Sequence, residues 1–164
     1  MTKSTTPRSV PARLSLALGL TLLIACGRSK DTNEFSAMQM RGAHVMGVNQ
    51  YTSAHVFEDL PDGGRVVLER ADAADTADIT TIRAHMRDIA AAFRAGDFTK
   101  PFEVHAQTVP GTDVLAARRA AIRYDVVDRP RGGEVRMQTS DPAAITAIHQ
   151  FLAFQRAQHH ATSH

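Results

Sequence analysis

The side chains of this chain that could do chemistry are mostly imidazoles: eight histidines and one cysteine in 164 residues, with no tryptophan. No G-x-S-x-G elbow, P-loop or H-E-x-x-H helix accompanies them. His55 alternates with Phe57, His85 flanks a stripe containing Ile82 and Ile89, and His149 flanks one containing Ile145 and Leu152. His105 stands in "FEVH", where alternation points it away from Phe102 and Val104, and His44 and Met46 form an H-x-M pair. Imidazoles with a thioether suit copper, or zinc, better than magnesium or calcium, because hard ions want oxygen. The candidate metal ligands are therefore His55, His85, His105 and His149, with Met46 as a soft fifth. No two histidines are spaced i,i+4 on an expected helix, so any site must be assembled from separate elements. Without that convergence, each would be a core histidine hydrogen-bonded to backbone. A third use, His85 with Asp88 or Asp97 as acid and base, needs a geometry that helical spacing alone permits but does not require. No catalytic residue is assigned.

The cysteine has a different setting. Lys3, Arg8 and Arg13 precede an apolar run from Leu14 to Ala25, and no acidic residue appears before Asp31. This is the charge and length pattern of a secretory signal, and the run is shorter than the ~20 residues of a spanning helix. Leu23-Ile24-Ala25-Cys26 resembles the lipobox of bacterial lipoproteins. The resemblance implies a signal peptide over 1–25, a lipid on Cys26 and attachment to a membrane by acyl chains alone. Gly27 after the cysteine goes with transfer to the outer membrane in such proteins. Three of the nineteen basic residues lie in the leader, leaving sixteen against seventeen acidic ones, a net charge of −1. The basic character of the whole chain therefore says nothing of nucleic acid, and no basic stripe with aromatics suggests it. With Cys26 acylated no thiol remains for a disulfide.

The elements that must position these residues follow from periodicity. Residues 26–42 show little of it and read as a tether, in which Met38 and Met40 are more readily mobile residues than ligands. One domain is expected over 43–158, with a disordered tail at 159–164. Tyr51 to Glu58 alternates as a strand, "PDGG" at 61–64 turns the chain, and Arg65 to Arg70 returns. Ile79, Ile82, Met86, Ile89 and Phe93 form one helical stripe, closed near Gly96. The plan then recurs: a strand over 121–128, "PRGG" at 130–133, a strand over 134–139, and a helix opened by Asp141-Pro142. "GGRVVLERAD" and "GGEVRMQTSD" align without a gap, and each precedes a helix bearing one histidine, His85 or His149. Between the copies an extended segment over 98–106 and a short helix over 113–119, capped by Thr112, are expected. The fold class is thus α+β: a duplicated ββα-ββα unit, an antiparallel sheet of four or five strands with helices packed on one face.

"MGVNQ", "AHVF", "IRAHM", "FRAGDF", "VPGT" and "PRGGEVRMQTSDPAAITAIHQFLAFQ", from Met46 to Gln155, resemble a family of small bacterial exported proteins. In that family the first block often reads M-G-F-D-Q and the next carries two adjacent histidines; here Val48 and Asn49 replace Phe-Asp, and Ala54 stands at one histidine. The matching positions include His55, His85, His105 and His149. Some members carry the label aspartate carbamoyltransferase, which this chain does not support: the Ser-Thr-Arg-Thr phosphate motif is missing, and one small domain cannot supply two α/β domains. The expectation is an envelope lipoprotein, facing the periplasm, that binds copper or zinc through histidines as sensor, buffer or delivery module. The competing expectation is a non-catalytic lipoprotein whose sheet or helix face docks an envelope protein, with structural histidines.

Overall fold

A computed structural model describes Met1 and residues 21–161, with side chains from residue 32 onward. The leader over 2–20, the side chain of Cys26 and the last three residues lie outside the described residues. The chain divides into Met1–Thr32, of which the helical backbone from Thr21 is described, and Asn33–His164, which holds everything below. Among the described residues no helix is long and apolar enough to cross a membrane.

Helix α1 runs Thr21–Met46, so residues 33–42 are helical where a tether was expected. Phe35, Met38, Gly42 and Met46 recur every three or four residues, and the last three are buried. The glycine hides the periodicity, because its burial contributes no apolar side chain to the stripe. Arg41 Nε also donates to Val104 O at 2.8 Å, which fixes this end of α1 to the domain.

Two hairpins follow the expected pattern. Strands β1 (Ser53–Leu60) and β2 (Gly63–Arg70) pair antiparallel, as do β3 (Arg123–Arg129) and β4 (Gly132–Gln138). The hairpins join through β2 and β4, also antiparallel, to give one four-stranded sheet in the order β1-β2-β4-β3. Phe57, Val66, Val135 and Val126 occupy one cross-strand row facing the helices. Val56, Val67, Glu134 and Val127 alternate to the other face, as a period of two requires. The architecture is α+β, with helices on the sheet.

Helix α2 (Thr76–Ala95) starts where Asp75 accepts from Asp78 N–H and ends at Gly96 with φ 80°. Helix α5 (Pro142–His159) starts where Asp141 accepts from Ala143 and Ala144. Each helix packs chiefly on the hairpin of the other copy: α2 against β4 and β3, α5 against β1 and β2. The glycine pairs permit this exchange. A Cβ on Gly64 would lie 2.3 Å from Leu152 Cδ1 of α5, and one on Gly133 would lie 3.1 Å from Met86 Cγ of α2.

The insertion between the copies is helical. Helix α3 (Thr99–His105) replaces the expected extended segment: Asp97 Oδ1 accepts Thr99 N–H at 2.8 Å, and Ala106, in the left-handed region, closes the turn on Phe102 O. Helix α4 (Thr112–Ala117) is shorter than expected, and the Thr112 hydroxyl donates back to Val109 O at 2.8 Å rather than capping it.

Candidate functional site

The C-terminal end of α1, the inner face of β1 and β2, α2, α3 and the last turns of α5 surround one cavity of about 570 Å³, counting its open mouth. Its walls are apolar, with Phe57, Leu68, Ile89, Phe93 and Phe151 prominent, and four imidazoles reach it: His55, His85, His105 and His159. Among the described residues no carboxylate lines it, and Lys100 is the one cation that does.

Each ring arrives for a local reason. His55 shares the inward face of β1 with Phe57, and their rings stack 5.4 Å apart at 6°. His85 precedes Met86 on the buried side of α2. His105 ends α3, and the helical conformation reverses the direction that strand alternation gave it: His105 is 6% exposed and Phe102 is 52% exposed. His159 was expected in a solvated tail. It is instead the last residue of α5, with its ring centroid 4.7 Å from His55 and 5.2 Å from His105. The signal for it was present, since Phe151, Gln155 and His159 continue the α5 stripe at intervals of four.

His149, expected in the same group, does a different job. Its Nε2 contacts Leu60 O at 3.1 Å and Gly63 O at 2.9 Å across the β1–β2 turn. In the other copy Arg83 meets the equivalent carbonyls, Gly132 O at 3.1 Å from Nε and Arg129 O at 2.7 Å from Nη2. His149 therefore corresponds to Arg83, not to His85. Pairing one histidine from each helix misplaced it, because only three extra residues lie in the β2–α2 loop, before the capping Asp75 that corresponds to Asp141.

Met46 lines the cavity and is 8% exposed, and Met86, read only as a core residue, lines it too. His85 makes no hydrogen bond to Asp88 or Asp97, and the Asp97 carboxylate is taken by Thr99.

The electrostatics favour neutral rings. Burial pushes His55 down to about 4, and His85 and His105 nearby push the same way. Burial also brings His85 to about 4, with Lys100 adding to it and the Asp88 carboxylate opposing it, and brings His159 to about 2, helped by His55, His105 and His160. His105 is lowered by burial, opposed by its bond to Gln155. Neutral imidazole is the form that carries a free lone pair for a metal.

Hydrogen bonding sets which lone pair is free. His105 Nε2 lies 2.9 Å from Gln155 Oε1, so Nε2–H donates to the amide oxygen. His105 Nδ1 then bears the lone pair, and it is buried with no partner. Such an orphan costs about 1–3 kcal/mol, and a second-shell amide fixing the tautomer is how metal-binding histidines are commonly oriented. Among the described residues, His55 and His159 show ring contacts, and His55, His85 and His159 make no hydrogen bond within the protein. Also among the described residues, no three of His, Cys, Asp and Glu already stand where one ion would reach them all. The rings are gathered but not closed on a point, so loading requires side-chain rotation.

No protein-family model, no curated protein and no solved structure matches this chain. The functional reading rests on the cavity.

Proposed function

We propose that this protein binds a transition-metal ion, copper before zinc, through His55, His105 and His159, with His85 beside them, and serves as a buffer, sensor or delivery module. The observation that carries this reading is His105 Nδ1: buried, unpartnered, its tautomer set by Gln155, and on the same cavity as three other neutral rings. An empty cluster of this kind is costly to the apo fold, and an ion that accepts the lone pairs offsets the cost. The four rings come from β1, α2, α3 and α5, so binding would also tie the inserted helix to both copies. The resemblance of Leu23 to Cys26 to a lipobox supports an envelope membrane as the setting, where acyl chains rather than a spanning helix would hold the protein.

The test is the metal content of the full-length chain purified from the cell envelope. Near-stoichiometric copper or zinc is expected. A variant with His55, His105 and His159 replaced by Asn should fold yet come out empty, whereas wild type that cannot take up either metal would refute the reading. Mass spectrometry of the same material checks the anchor: a diacylglyceryl group on an N-terminal Cys26 is expected, and an unprocessed chain with a free thiol would remove it.

A second reading, structural histidines in a partner-docking lipoprotein, draws on the same observation that no trio is closed and on His149, which does hold a turn. It expects each cavity histidine to affect stability and no ligand.

A further inference from the structure

Resting on the metal-binding reading, we infer that the ion is held as monovalent copper, with thioether sulfur from Met46 or Met86 joining the imidazoles. Two features of the cavity carry this. Its lining contains both methionines, 8% and 2% exposed, beside His55, His85, His105 and His159. Among the described residues its lining includes no Asp or Glu, and Lys100 is the one charged lining group, with Asp88 acting on His85 and Arg41 on His105 from outside the lining.

Charge decides between oxidation states. The cost of taking an ion out of water rises with the square of its charge, so a divalent ion pays about four times as much as a monovalent one in the same apolar surroundings. Divalent sites usually offset this with a carboxylate or thiolate, as structural and catalytic zinc sites do. Here every donor is neutral, and Lys100 repels a divalent ion twice as strongly as a monovalent one. Cu(I) needs the least compensation, and soft thioether donors select for it. Its tolerance of two or three ligands also fits a cluster in which no three nitrogen-bearing groups are yet closed on one point.

The experiment uses the full-length chain, kept anaerobic with ascorbate. Cu(I) is titrated against bicinchoninate, Zn(II) and aerobic Cu(II) are titrated against their own chelators, and the copper-loaded protein is examined by X-ray absorption at the copper edge. A single equivalent of Cu(I), bound more tightly than either divalent ion, with sulfur and nitrogen in the first shell, is expected. Met46→Leu and Met86→Leu conserve volume and should keep the fold, since volume-conserving apolar swaps are the best tolerated in a core. One of them should lose the sulfur signal and weaken Cu(I) by about tenfold or more, while Zn(II) affinity changes little. A nitrogen-only shell in wild type, or a Zn(II) or Cu(II) complex tighter than the Cu(I) one, overturns this inference and leaves the imidazole site standing. Absence of binding by all three ions overturns both.

Discussion

Lowering the pH from 7 to 5 should unfold the metal-free protein by a route that belongs to the cavity. His55 and His85 are held to about 4 and His159 to about 2 in the folded chain, against about 6.5 when unfolded. Between pH 6.5 and 4 the unfolded chain therefore binds more protons than the folded one, so stability is full above the unfolded value and falls as the pH falls. Each ring contributes about 1.4 kcal/mol per pH unit, or about 2 kcal/mol by pH 5. Three rings give about 6 kcal/mol as an upper figure, since the open mouth admits some water. Domains of this size have about 5–15 kcal/mol in all, so the loss is decisive. Asp62, Asp75, Asp97 and Asp141 are also held below the usual carboxylate value, but their contribution is lost only below about pH 4. The two windows separate. Urea unfolding in EDTA at pH 7, 6, 5 and 4.5 should show the drop, and His55→Leu or His159→Leu should each reduce it by about 2 kcal/mol. Stability that is flat between pH 7 and 5, or a drop unchanged in both variants, would refute the electrostatics argued for the cavity.

Gln155→Ala should weaken metal binding about 10- to 100-fold in a chelator competition, because His105 loses the bond that fixes its tautomer. His149→Ala should lower stability by about 1–2 kcal/mol in a thermal melt yet leave metal affinity unchanged, since its ring serves the β1–β2 turn. Gly132→Ala should cost about 1–3 kcal/mol or more, because a Cβ there would lie 1.9 Å from Leu68 O and backbone cannot retreat as a side chain can. Asp141→Ala should cost about 1 kcal/mol by uncapping α5, read from the urea midpoint.

The hairpins were legible because alternation and a Pro-led turn, Pro61-Asp62 or Pro130-Arg131, specify the same local structure, although the Gly-Gly pairs expected in the turns open the returning strands instead. Helices α2 and α5 were legible because their stripes and caps agree. Which edges would pair was not, since the β2–β4 junction joins strands about seventy residues apart and nothing local encodes it. Three of the four cavity histidines, His55, His85 and His105, were among the candidate ligands, but strand alternation pointed His105 away from its apolar neighbours. A seven-residue helix containing Pro101 is too short to show a period, so alternation governed the reading. His159 was missed because adjacent histidines near a polar end look solvated, although the α5 stripe already extended to it. His149 was over-read because one histidine in each helix was taken as equivalent, which needs more inserted residues in the first copy than the three that separate the caps Asp75 and Asp141.

The two copies differ in what they bring to the cavity. Arg83 and His149 hold equivalent turns, so the copies still share their structural clamp. Counting onward from the clamp, His85 stands where the other helix has Phe151, and Phe93 where it has His159; all four line the cavity. Each helix thus supplies an imidazole at a position where its counterpart supplies a phenyl ring. The remaining rings come from β1 and from α3, and α3 belongs to the segment inserted between the copies. The cavity is built from what the copies do not share, whereas the clamps and glycines they do share maintain the sheet. Substitutions in the shared set should therefore act on stability, and those in the unshared set on the ligand.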